Sequence, residues 1–160
     1  MHESEVITAI TSLGQVDRVE ADGNHFFFFD PGPPLGADRR LPFATLVTND
    51  LYDSASNLDR PGVYRLNLGV APASYRRLFG TPPAATREMG VVDTGHDSTR
   101  LDELLPHPIY APLSWVCLLN PGAGTFEAVR PLLREAWTIA ASRAEARERR
   151  APHSTQGPHG

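Results

Sequence analysis

The stretch VYRLNLGV, residues 63–70, alternates without interruption: Tyr64, Leu66 and Leu68 fall on one side of an extended chain, Arg65 and Asn67 on the other. A period of two identifies a strand with one core face and one polar face. Such a strand belongs to a sheet whose apolar side lies under helices, and its opposite side must be polar, lidded or paired with a partner. The flanking sequence supplies the helices. From residue 3 to residue 13, Val6, Ile7, Ile10 and Leu13 keep helical spacing, with Ser4 available as a cap and Gly14 as a stop. APASYRRLFG, residues 71–80, is a short helix with Pro72 near its first position and Gly80 just past its end. Phe126, Val129, Leu133, Trp137 and Ala140 make a stripe on a final helix, where Pro131 is allowed only in the first turn or at a kink.

Strand signals fill the intervals. VDRVEAD and HFFFFD flank a turn at Asp22, Gly23 and Asn24, and the second is apolar on both faces, as a central strand would be. Its consecutive phenylalanines read as core and not as a ligand cage. PFATLVTND and SWVCLLNP supply further strands, and MGVVDTG a short one. The Pro- and Gly-rich PGPPLGADRRL, residues 31–41, is a loop and a candidate lid. LYDSASNLDRPG, residues 51–62, carries turn-forming side chains in Asn57, Asp59 and Gly62, with Arg60 held extended before Pro61. Hairpin-length connections make the sheet antiparallel. The expectation is an α+β fold: a single domain over residues 1–145, with a mainly antiparallel sheet of about five to six strands and helices packed on one face. Residues 146–160 are read as a charged helix end and a disordered tail.

With 160 residues, a chain buries roughly two-thirds of the surface it would expose unfolded. No apolar run approaches the roughly 18 residues of a membrane span. The opening Met1-His2-Glu3-Ser4-Glu5 lacks the basic and apolar regions of a signal peptide, so a cytoplasmic location is expected. Cys117 is the only cysteine, so an intramolecular disulfide is impossible, and its place in WVCLL favours a small buried hydrophobe over a nucleophile. There is no lysine: all 15 basic residues are arginine. That removes Schiff-base chemistry, an anchor for pyridoxal phosphate and a Walker-type phosphate loop. With no Gly-rich dinucleotide turn and no CxxC pair, no cofactor is expected. A net charge of −4 with dispersed arginines argues against duplex nucleic acid as a partner.

The runs DLYDSASNLDRPGVYRLNLGV, VVDTGHD, HPIYAPLSWVCLLNPG and FEAVRPLL together resemble a family of small bacterial proteins, common in actinomycetes, known only as a domain of unknown function. The resemblance covers roughly residues 3–143 and implies a fold without implying a chemistry. The order of elements is also similar, more weakly, to the small α+β proteins of the YjbR/MmcQ-like group.

TGHDSTRLDELLPHP, residues 94–108, gathers His96, His107 and three carboxylates. A histidine beside a carboxylate moves protons without a cofactor, and His96 with Asp93 or Asp97 is the best catalytic set. Arg65 and Asn67 on the polar strand face would then hold an anionic or carbonyl group, with His107, Tyr110 and Trp115 completing the substrate side. The competing account is structural. Asp97 caps a turn, Thr99 and Asp102 have capping-box spacing, Pro106 ends the turn, and Arg65 pairs with Asp59 or Asp53. His25, His96, Asp97 and His107 are metal-ligand types, but their spacing matches no compact motif and no metal is expected. Three function classes follow. The first is a small-molecule-binding protein acting as a cofactor-independent acid/base enzyme of lyase, isomerase or cyclase type. The second is a non-catalytic ligand-binding protein or a homodimer formed through the polar face, and the third a His/Asp metal enzyme.

Overall fold

A computed structural model of the chain describes residues 1–32 and 40–150. The expected order of elements is observed: α1 (Glu3–Thr11), β1 (Val16–Ala21), β2 (Asn24–Phe29), β3 (Ala44–Val47), β4 (Arg65–Gly69), α2 (Pro72–Phe79), β5 (Leu104–Pro106), β6 (Trp115–Leu119) and α3 (Ala123–Arg150). The strands form one six-stranded sheet in the order β1-β2-β3-β4-β6-β5. Every named neighbouring pair is antiparallel.

The β1/β2 hairpin closes on Asp22 and Gly23, both at positive φ (53° and 80°), between paired Ala21 and Asn24. Two residues in that conformation match the right-handed twist of the strands, and Asp-Gly is a preferred sequence for it. β2 is the second strand from the edge, one place off centre, because β1 and its charged residues Asp17, Arg18 and Glu20 cover its outer side. The phenylalanines divide between the faces. Phe27 is buried in the main core, Phe29 packs edge-on against Trp137, and Phe26 meets Tyr52.

Alternation in β4 sets the two faces of the sheet. Leu66 and Leu68 join Val6 and Ile10 of α1, Tyr75 of α2 and Phe126, Val129, Leu133 and Ala136 of α3 in the larger apolar core. All three helices therefore lie on one face. Pro131 is the ninth residue of α3, well inside the helix and not in its first turn, so the bond it would have donated to the Glu127 carbonyl is missing. α1 begins one residue before the proposed Ser4 cap, and Glu5 accepts the His2 backbone N–H at 2.7 Å.

The other face is covered by the chain itself. Residues 48–62 fold across it, and Leu58 joins Val47, Val63, Leu105, Cys117 and Leu119 in a second, smaller core. Asp50 accepts from Leu58 N and Asp59 from Asp50 N, drawing the ends of this segment together. Asn57 at φ 51° and Gly62 at φ 74° make the turns assigned to them. The polar face is thus lidded, by residues 48–62. The Pro-rich lid proposed for residues 31–41 falls largely outside the described residues, as does the tail from residue 151.

Residues 97–105 depart from expectation. In place of a capped helical turn, Asp102 (φ 57°) turns its carboxylate to the Gly122 N–H, and the chain extends into β5. Pro106 ends that strand at the sheet edge, where its missing N–H costs no ladder bond. The proposed strand in MGVVDTG is a loop, tied to the residues after β5 by the bond from Val92 N to Pro108 O.

Gly23 tests the hairpin. An added Cβ would meet Thr48 Oγ1 at 3.3 Å while holding positive φ. Gly23→Ala is expected to lower stability by about 1–2 kcal/mol in urea denaturation, with the sheet retained by circular dichroism.

Candidate functional site

Arg65 is the most thoroughly bound of the residues named from sequence. It is 1% exposed, and four hydrogen bonds hold its guanidinium. Nη1 and Nη2 grip the two Asp53 oxygens at 3.1 and 2.8 Å, Nη1 also donates to Ser56 Oγ at 2.8 Å, and Nε donates to Asn67 Oδ1 at 2.9 Å. Asn67 passes the chain on, its Nδ2 donating to Thr45 Oγ1 at 2.9 Å. The bidentate geometry anticipated for a substrate anion is taken by Asp53, which comes from the segment covering this face. Burial by itself would raise the Asp53 carboxyl, but the Arg65 hydrogen bonds and charge, with the Ala55 N–H, hold it below the usual carboxylate value.

His107 stands beside this network. Its N–H donates to Trp115 O, extending the β5/β6 ladder by one residue, and its ring is 1% exposed. Nδ1 accepts the backbone N–H groups of Ile109 and Tyr110 at 3.0 and 2.9 Å, which leaves the ring proton on Nε2. Burial first, and the positive charge of Arg65 second, push the imidazole down to about 3, so it is neutral at physiological pH. Burial likewise pushes the Cys117 thiol up to about 12, and its Sγ lies 3.7 Å from Pro106 O. Cys117 therefore has the environment of an inert core residue.

The proposed catalytic set lies elsewhere. His96 is exposed, its ring edge-on to Phe79 at 5.5 Å. Asp93 accepts the Gly95 N–H, and Asp97 accepts both the N–H and the hydroxyl of Thr99, so each carboxylate closes its own turn. The Thr99 bonds lower the Asp97 carboxyl. Among the described residues no hydrogen bond links His96 to Asp93 or Asp97. His25 is on the helix-covered face opposite Leu46, far in the register from His107, which continues β5. Among the described residues no three His, Cys, Asp or Glu side chains converge as metal ligands would.

The aromatic residues lead to a different place. Tyr110 is 42% exposed, stacks near His107 at 4.9 Å and stands 6.3 Å from the Trp115 ring. Trp115 crosses its ladder partner Gly69 so closely that a Cβ there would sit 2.9 Å from the indole. Gly69 is what lets the ring lie flat on the strand. Here β2 and β4 end, β3 and β6 begin, and the later turns of α3 overhang the sheet end. Between them is an open groove of about 80 Å³. Phe43, Val70, Ile139 and Ala140 contribute apolar surface, Leu41 and Leu113 stand exposed at its rim, and Arg40, Arg143 and Arg147 add positive charge. Trp115 is the only one of the sequence-named residues that lines it. Nothing in the local sequence pattern of Gly69, Arg143 or Arg147 marks them as residues of a groove.

An all-antiparallel six-stranded α+β domain, with helices on one face and its own loop on the other, is the class these features define. The chain belongs to the family of unknown function DUF6194, whose model matches residues 1–149. Nothing among curated proteins or solved structures matches it.

Asp53→Ala leaves Arg65 buried without a counter-charge and is expected to cost about 3–5 kcal/mol in urea denaturation. A second expectation concerns pH. The folded chain protonates His107 near 3 and the unfolded chain near 6.5, so between those values the unfolded state binds more protons and stability falls as pH drops. The loss approaches about 1.4 kcal/mol per pH unit for one such group. His107→Asn, which keeps a side-chain acceptor for the Ile109 and Tyr110 N–H groups, is expected to flatten that slope between about pH 6 and about pH 4.

Proposed function

We propose that this chain is a cytoplasmic bacterial protein that binds a small apolar molecule in the groove at the sheet end, without chemical turnover. One observation carries the reading: a concave site of about 80 Å³ at the sheet end, with Phe43, Val70, Ile139 and Trp115 in its lining. Side chains of this apolar and aromatic kind are the ones that line sites for small organic ligands. Exposed Leu41 and Leu113 at the rim would lose water contact on binding, at about 25 cal/mol for each Å² of apolar surface covered.

Holding is favoured over converting because, among the described residues, no histidine, carboxylate or thiol lines the groove. The groups suited to proton transfer are placed apart from it. His107 is neutral and its Nδ1 is committed to the backbone, while His96 faces solvent beside Phe79. Arg65 and Asn67 serve the reading indirectly, by holding residues 48–62 on the opposite face and fixing the strand that carries Gly69.

The test is titration of the folded chain with the neutral dye N-phenylnaphthylamine, read by dye emission and by quenching of Trp115 in a Trp137→Phe background. A single saturable site is expected. Ala140→Phe, which fills the groove from α3, is expected to weaken dye binding by about tenfold or more with little change in melting temperature. Dye binding unaffected by Ala140→Phe would place the ligand elsewhere.

A further inference from the structure

We infer that two copies of this chain join edge to edge through β1, antiparallel about a two-fold axis at Val19, so that one sheet runs through both. None of the β1 residues lines the groove, and the inference stands without that reading. The two edges of the sheet are finished differently. β5 is three residues long and ends in Pro106, and short length and proline are ways in which an edge is closed to further pairing. β1 has six residues, no proline and an unbroken register against β2 from Val16 to Ala21, so no bulge twists it away. Among the described residues none pairs with its outer side, and Arg18, Val19 and Glu20 are exposed.

The hydrogen-bond pattern limits the ways in which two such edges can meet. The Asp30 N–H donates to Gln15 O at 2.7 Å, and the Asp22/Gly23 turn joins Ala21 to Asn24, so Gln15, Asp17, Val19 and Ala21 direct their backbone groups toward β2. Arg18 and Glu20 therefore direct theirs outward, and a second strand has to bond to them. Few antiparallel registers satisfy that. Arg18 opposite Arg18, or Glu20 opposite Glu20, sets like charges against each other, and Val16 opposite Arg18 sets Asp17 against Asp17. Arg18 opposite Glu20 is different. Symmetry repeats the pair, so opposite charges meet on both sides of the axis and the residues of each pair exchange both backbone bonds. Asp17 then faces Ala21, and its charge is already met by Arg40 at 2.7 Å. Val19 meets its own copy at the axis. It is 41% exposed and shares a face with Phe26 and, beyond it, the exposed Tyr52, so the charged pairs flank apolar surface that the second copy covers. Because each copy uses its β1 edge and β5 is closed by Pro106, the assembly stops at two.

The experiment is sedimentation equilibrium of the full chain from about 1 µM to about 1 mM, the span of weak association. Wild type is expected to pass from the mass of one chain to that of two. Arg18→Glu and Glu20→Arg each set like charges across the axis and are expected to weaken self-association by about tenfold or more. An equimolar mixture of the two variants restores opposite charges in both pairs and is expected to associate as wild type does. Both side chains are exposed, and melting curves of each variant check that the fold is kept. The register has its own readout. Paired Cα atoms at such an axis lie about 4.5 Å apart, within disulfide reach, so Val19→Cys is expected to link two copies under oxidised glutathione and Arg18→Cys far less, Cys117 being buried. Wild type that stays a single chain throughout would overturn the inference. A dimer equally stable in both charge swaps, and no stronger in their mixture, would place the contact on another surface and overturn it as well. Equal disulfide yield at positions 18 and 19 would overturn the axis at Val19.

Discussion

A guanidinium buried in the middle of a sheet face is the constraint on which the rest of this structure depends. Arg65 projects from β4, with β3 on one side and β6 on the other, and cannot reach water. Removing such a charge from solvent costs several kcal/mol even after relaxation, and only a close counter-charge with the remaining donors satisfied offsets it. Asp53 supplies the charge, while Ser56 and Asn67 take two further N–H groups. Since Asp53 and Ser56 both lie in residues 48–62, satisfying Arg65 and covering the second face are one event. The pair's energetic return over an apolar substitute is modest or absent. What it does is specify: with Asp53 against Arg65, Leu58 of the same segment joins the small core.

That arrangement decides where a ligand can go. The face expected to be open is closed, with its arginine spent inside the protein. The sheet end is different, because the later turns of α3 and the ends of β2 and β4 line a groove there. At Gly69 the ladder persists but no side chain rises from it, and the indole of Trp115 fills the space on the face shared with Asn67. The indole therefore closes the end of the face covered by residues 48–62, four residues from the position where the same strand carries its largest buried side chain.

How much was legible in the sequence divides along contact range. The Asp22/Gly23 hairpin, the alternation of β4 and the stripe of α3 are encoded by neighbours within a few residues, and all form as read. Misreadings cluster where a local signal had a distant competitor. Asp97, Thr99 and Asp102 have the spacing of a capped turn, but Asp102 bonds to Gly122, twenty residues on, and β6 recruits residues 104–106 as an edge strand. Asp53 was a named alternative for Arg65, but choosing it over Asp59 required knowing which carboxylate the folded loop turns inward. Asp59 instead accepts from Asp50. As for the candidate site, Trp115 was named for the substrate side and lines the groove. Arg143 and Arg147 were not, because a charged run at a helix end has the same pattern whether it faces solvent or overhangs a groove.

A chain that uses arginine in every cationic position shows the residue in three settings, and the differences explain why lysine would not replace it in each. At Arg65 the fork matters: Nε goes to Asn67 while both terminal nitrogens meet Asp53, a planar set that a single ammonium cannot span. At Arg40 the flat face matters, since the guanidinium lies over Phe28 while one edge reaches Asp17. At Arg143 and Arg147 neither demand is met by the protein's described residues, so the geometric capacity that the other two sites consume is left over. Of the three, only this last setting leaves the planar fork without a partner among the described residues, and it is the only one that the fold does not depend on.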